Sequence, residues 1–148
     1  MRFVFIAGML AAAASAQVTG PLLGWLPVGT EIRPMNGFPA AATLGRAANV
    51  GHTLTNMAVS PSQNYVLATD AESGDVLLVV AGVSATTLDS MTRPDRIVTS
   101  PSGSSAVLWY STAGQFEILS GLPSTPAIHR VDGSFLKKDF PEIGRAHV

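Results

Sequence analysis

The sequence predicts an all-β chain built of antiparallel repeats, and three observations predict it. Ser60-Pro61-Ser62 recurs as Ser100-Pro101-Ser102 forty residues later, with apolar runs on both sides of each copy. A second unit, glycine, short apolar run, glycine, keeps a similar distance: Gly29 to Gly37, Gly74 to Gly82 and Gly114 to Gly121. Beyond the N-terminal residues, no stretch has the periodicity over at least ~10–12 residues that a helix needs. The opening glycines lie 45 and then 40 residues apart, and the closing ones 45 and then 39. Two independent markers that move together argue against chance similarity of glycine-rich loops.

Each unit then reads in the order Ser-Pro turn, strand, polar turn, strand, glycine turn. Met57-Ala58-Val59 and Ile97-Val98-Thr99 are the apolar runs ahead of the two Ser-Pro turns. Proline presets φ for the second turn position, and serine can bond the backbone two residues on. Gly103 fits the left-handed position that ends such a turn; Gln63-Asn64 replaces it in the first copy, where Asn is the more tolerant residue. Tyr65-Val66-Leu67-Ala68 and Ser105-Ala106-Val107-Leu108-Trp109 follow as strands. Asp70 to Asp75 and Ser111 to Gly114 are hairpin connections. Val76 to Val80 and Phe116 to Leu119 are the next strands, and the Val76 run is apolar enough to be buried on both faces.

A repeat of short strands at this spacing matches propeller blades, whose period is about 40–45 residues. Ser100-Pro101-Ser102-Gly103-Ser104-Ser105-Ala106-Val107-Leu108 resembles the Ser-Pro-Asp-Gly turn and following strand of bacterial secreted β-propellers, WD-repeat-like, Tol-associated and surface-layer-type. Ser62 and Ser102 stand where that motif has Asp, and neither Trp-Asp nor Gly-His marks a blade. The resemblance covers residues ~29–135 and implies a blade architecture. It does not imply one activity, because propellers host binding, scaffolding and several chemistries.

Both ends carry separate expectations. Arg2, the apolar run Phe3 to Ala13, and Ala14-Ser15-Ala16 have the pattern of a cleaved signal peptide over residues 1–16, with Gln17 as the first mature residue. The run is too short to span a bilayer, and no cysteine stands at the cleavage point for lipid attachment. Export to the periplasm or medium is therefore expected, with no membrane span after cleavage. Glu142-Ile143-Gly144-Arg145-Ala146-His147-Val148 resembles one frame of a common short-read sequencing adapter. The expectation is that residues 17–141 are two to three blades of a truncated domain and that residues 142–148 are a translation artefact. Closed propellers have at least ~4 blades. The chain alone is then expected to be open-edged, poorly stable and prone to associate.

Composition excludes several function classes. Net charge is −1 and charged residues make up 13%, so there is no basic field for nucleic acid and no polybasic membrane patch. Zero cysteines removes disulfides, thiolate metal sites and cysteine nucleophiles. His52 and His129 lie in no metal-binding spacing, and Asp70, Glu72 and Asp75 do not form a calcium-loop pattern. Ser-Pro-Ser is not a nucleophile elbow. The sequence therefore offers no catalytic, cofactor or metal residues. Trp109 is expected to fill a wedge between blades, and Arg93-Pro94-Asp95-Arg96 to make an inter-blade ion pair or simply to face solvent. Two functions of different class fit. One is an exported scaffold that binds a protein or glycan at the cell envelope. The other is the N-terminal fragment of a propeller enzyme whose site further blades complete.

Overall fold

The computed structural model describes residues 20–80 and 84–134. The signal-peptide positions Ala14, Ala16 and Gln17, the closing glycine Gly82 and the adapter-like tail lie outside those residues.

Among the described residues, eleven strands form three antiparallel sheets, each a simple meander. The first holds β1 (Leu22–Val28), β2 (Glu31–Asn36) and β3 (Thr43–Leu44). The second holds β4 (Leu54–Val59), β5 (Tyr65–Asp70), β6 (Val76–Val80) and β7 (Ser84–Thr87). The third holds β8 (Arg96–Thr99), β9 (Ser105–Tyr110), β10 (Gln115–Ser120) and β11 (Ala127–Asp132). Neighbours in sequence are neighbours in each sheet, as short turns between antiparallel strands dictate. The first strand of the middle sheet, β4, approaches both β1 and β8, the first strands of the other two. The sheets thus fan out from one side.

The repeat sets this order. Ser60 and Ser100 each close a turn between the first and second strands of a sheet. In both turns the residue three positions on donates its N–H to the serine carbonyl at 2.9 Å. That residue is Gly103 in the third sheet (φ 69°) and Gln63 in the second (φ 59°). The left-handed residue of the first copy is therefore Gln63, not Asn64. Asn64 instead accepts from the Ser60 and Ser62 hydroxyls through Oδ1 at 2.8 and 2.7 Å. Gln63 tolerates the strained φ because its side chain is anchored: Oε1 accepts the Trp25 N–H at 2.8 Å, tying the turn to the first sheet.

Two apolar clusters hold the sheets face to face. Ile32 of the first sheet packs with Leu54, Val66, Ala68, Leu77 and Val79 of the second, with Trp25 beside them. Tyr65, Leu67, Val76 and Leu78 from the other face of the second sheet pack with Ile97, Ala106, Leu108 and Leu119 of the third. The second sheet is thus covered on both sides. Every residue of β5 is buried, as the continuous apolar runs predict. The two Ser-Pro turns also join directly: the Tyr65 hydroxyl donates to the Gly103 carbonyl at 2.8 Å.

Trp109 does not pack between the second and third sheets. It alternates with the buried Ala106, Leu108 and Tyr110 along β9, so its side chain takes the opposite face. There it meets Phe116 with ring centroids 4.2 Å apart, on the side of the third sheet away from the second. The segment 93–96 does bridge sheets, but not through an ion pair. Arg93 Nη2 donates to the Glu72 carbonyl at 3.2 Å, and Asp95 accepts from Ser111.

Candidate functional site

Polar side chains converge at the end of the first and second sheets. The β1–β2 turn, the loop 46–53 that leads into β4, and the β5–β6 turn enclose a cavity of about 1130 Å³. Glu31, Arg46, Asn49, His52, Asp70 and Asp75 are among its lining residues.

His52 and Asp70 are 18 residues apart in sequence. Antiparallel pairing of Leu54 with Asp70 brings them together. His52 Nδ1 lies 2.5 Å from Asp70 Oδ2. The other carboxylate oxygen accepts the Glu72 and Ser73 N–H groups at 2.7 and 3.2 Å. The His52 bond first, and then these backbone bonds, hold the Asp70 carboxyl below its ordinary value. With Asp70 ionised, Nδ1 carries the hydrogen and donates it, so a neutral imidazole presents Nε2 as an acceptor. The His52 side chain is 37% exposed, which leaves that face of the ring open to a ligand.

The repeat does not require this pair. Forty residues on, Tyr110 takes the place of Asp70 in the equivalent turn. In the sequence His52 lies in no metal-binding spacing, and Asp70, Glu72 and Asp75 form no calcium loop. No local spacing marks the pair, because the strand register alone creates it. His129 lies exposed on β11, far along the chain from this site.

The arrangement can accept a proton and hydrogen-bond a polar ligand. Among the described residues, no hydroxyl is bonded to His52, and no group of three or more His, Asp or Glu side chains is placed to hold a metal ion. The pair therefore lacks the nucleophile of a catalytic triad.

A second polar cluster lies inside the third sheet. Glu117 is fully buried. Its Oε1 takes the Arg130 Nε at 2.8 Å, and its Oε2 takes the Met91 N–H at 3.0 Å. The Tyr110 hydroxyl lies 2.9 Å from the same Oε2 and 2.7 Å from the Met91 carbonyl. Burial, and next the Glu117 contact, raise the Tyr110 pKa far above that of a free phenol. The cluster ties β9, β10 and β11 to the 88–95 connection and is structural.

The repeat-defining residues sit in turns and not in the cavity. Gly29, Gly74 and Gly114 occupy the β1–β2, β5–β6 and β9–β10 turns, all with positive φ. Ser60, Pro61, Ser62, Ser100, Pro101 and Ser102 form the two Ser-Pro turns, and Gly37 and Gly121 follow β2 and β10.

No family model and no curated protein matches the chain. Among solved structures, it is similar to a Bacteroides fragilis protein assigned as a 6-phosphogluconolactonase, of propeller-like fold, with 10% identity and a TM-score of 0.50. The match covers 71% of this chain and 33% of that one, so the chain spans about a third of that protein's length. The fold is an open set of propeller blades. Each sheet is one blade of the repeat.

Acid sensitivity is expected from this end of the molecule. Asp70 and Asp95 both have lowered carboxyl pKa values, Asp95 through the Ser111 hydroxyl and N–H. Stabilisation from a lowered carboxyl is complete above its unfolded value, about 3.9, and is lost as pH falls through the lower folded value. Asp70→Asn should therefore flatten the acid limb of stability below about pH 4. Urea midpoints measured across that range check it, and an unchanged acid limb contradicts it.

Proposed function

We propose that the chain is part of an exported propeller protein that works by binding, with the cavity between its first two blades as the ligand site. The partner is a hydroxyl-bearing or cationic group on a protein or glycan of the cell envelope. One observation carries this reading: an open polar cavity of about 1130 Å³ that offers donors and acceptors, with no nucleophile among the described residues bonded to His52. The leader-like residues 1–16 support export. The near-neutral composition supports a neutral or weakly basic partner over nucleic acid.

The test is an amide-shift titration of the purified chain with soluble peptidoglycan fragments and with N-acetylglucosamine oligosaccharides. Saturable shifts confined to residues 46–53 and 70–75, and lost in Asn49→Ala, are expected. No saturable shift with either probe, or shifts confined to other turns, would overturn the site.

A second reading, part of a propeller enzyme, is favoured by the His52–Asp70 pair, which is the geometry of an oriented general base. The fold likeness to a protein assigned as a 6-phosphogluconolactonase is compatible with it. Hydrolysis of a phosphorylated sugar lactone above the uncatalysed rate, abolished in His52→Ala, would replace the binding reading with this one.

A further inference from the structure

The turn 70–75 forms one wall of the cavity and carries the Asp70 carboxylate. It is held from two sides. From the loop that leads into β4, the Thr53 carbonyl accepts the Ala71 N–H at 2.8 Å. From the segment that joins the second blade to the third, Arg93 holds the turn twice. Its N–H donates to the Gly74 carbonyl at 2.7 Å, and its Nη2 donates to the Glu72 carbonyl at 3.2 Å. Arg93 does not line the cavity. It reaches the wall from behind.

The repeat shows which part of this contact is special to the second blade. Forty residues on, the Gly133 N–H donates to the Gly114 carbonyl at 2.8 Å. The backbone bond therefore belongs to the repeat. The guanidinium bond does not, because glycine has no side chain to make it. Tyr110 also stands where the second blade has Asp70. The second blade thus departs from the repeat at both ends of one chain of contacts. Arg93 takes a φ of 58°, in the left-handed region that a long side chain rarely adopts. Gly74 leaves room for it, since a Cβ there would stand 2.4 Å from Arg93 Cγ. Next to it, Asn56 Nδ2 donates to the Pro94 carbonyl at 2.9 Å and seats the same segment on β4.

The contacts run in series toward His52. The Glu72 carbonyl and the Ser73 N–H belong to one planar peptide unit, so holding the carbonyl aims the N–H the opposite way. That N–H, with the one from Glu72, bonds Asp70 Oδ1 at 3.2 and 2.7 Å. Asp70 Oδ2 then takes the hydrogen of His52 Nδ1. We propose that Arg93 is a positioning residue of the ligand site: it fixes the peptide plane between Glu72 and Ser73, which orients the Asp70 carboxylate and so keeps the His52 hydrogen on Nδ1 and Nε2 open as an acceptor. The proposal rests on the binding reading for what Nε2 accepts, a donor group of the ligand. It deepens that reading by making the site depend on the segment that leads to the third blade.

The test is heteronuclear NMR of the His52 ring nitrogens in the purified chain, without ligand and at a pH where the imidazole is neutral. Their signals are assigned by their loss in His52→Gln. The wild type is expected to hold mainly the Nδ1–H tautomer. Arg93 is exposed, so its variants should fold, and circular dichroism first shows that each keeps its β content. Arg93→Ala should raise the ratio of Nε2–H to Nδ1–H about three-fold or more, as the loss of one ordinary hydrogen bond allows. Arg93→Lys, whose ammonium can donate to the same carbonyl, should keep the ratio near the wild-type one. Asp95→Ala is the control. It loosens the same segment where Asp95 bonds Ser111 of the third blade, and it should leave the ratio unchanged. An unchanged ratio in Arg93→Ala, a lysine variant as altered as the alanine one, or an equal rise in Asp95→Ala would overturn the proposal. Because the ratio is read without ligand, it stands apart from the titration with peptidoglycan fragments and N-acetylglucosamine oligosaccharides. A wild type that binds neither probe overturns the binding reading, and the tautomer ratio still decides the role of Arg93.

Discussion

Arg130→Leu should lower the stability of the chain by about 3 kcal/mol. The loss comes from what stays behind. Glu117 is fully buried, and without the guanidinium its carboxylate keeps only the Met91 N–H and a share of the Tyr110 hydroxyl. Removing one partner of a buried pair costs about 3–5 kcal/mol, because a charge is left uncompensated. The low end applies here, since the Arg130 side chain is 58% exposed and water already screens it. Glu117→Leu should cost less, about 1–2 kcal/mol. The guanidinium then turns to solvent, and the Met91 N–H is the principal group left unpaired. The double variant should be more stable than Arg130→Leu alone, since it removes the stranded charge. Urea unfolding of all four proteins at one concentration gives the coupling energy. A cost below about 0.5 kcal/mol for Arg130→Leu would place that pair with ordinary surface contacts.

Leu108→Ala should cost a further large amount, about 3 kcal/mol within the range of about 2–5 seen for buried leucine truncation. Leu108 is fully buried and packs in the cluster that joins the second and third blades. Leu67 lies in the same cluster from the opposite side and should cost a similar amount. Because the two side chains share one cluster, the double truncation should depart from additivity by about 0.5 kcal/mol or more. Ile118→Ala is the control. It alternates with the buried Glu117 and Leu119 on β10 and is 38% exposed. At protein concentrations low enough to keep the chain monomeric, its cost should stay within about 1 kcal/mol. Equal losses for Leu108 and Ile118 would mean that the two faces of the third blade are not distinguished as described.

The repeat made most of the architecture legible. The Ser-Pro and glycine markers located the turns because proline, glycine and serine each answer a specific backbone demand. The continuous apolar run Val76 to Val80 signalled a strand covered on both faces. Other features needed three dimensions. His52 and Asp70 meet only through the register of β4 on β5, and a lone histidine carries no spacing signal. Gln63 holds a left-handed φ because a side-chain bond to the neighbouring blade supports it, a tertiary effect that overrides the local preference for Asn64. Alternation along β9 places Trp109 with Phe116 on the face of the third sheet away from the second, a choice of face that the sequence reading did not make. Glu117 did leave a trace: it sits two residues before Leu119, so strand periodicity puts the carboxylate on the core face. A charged residue at such a position calls for a partner, and Arg130 lies directly across the strand pair.

The central claim is a stack of three blades in which the middle one is covered on both faces. Native-state amide hydrogen exchange on the chain tests it most directly, because protection reports the free energy of opening element by element. The stack predicts the slowest exchange in β5 and β6, with rates set by global unfolding, and faster exchange in β3, β7 and β11 at the blade rims. Equal or greater protection in the first blade than in β5 and β6 would contradict it.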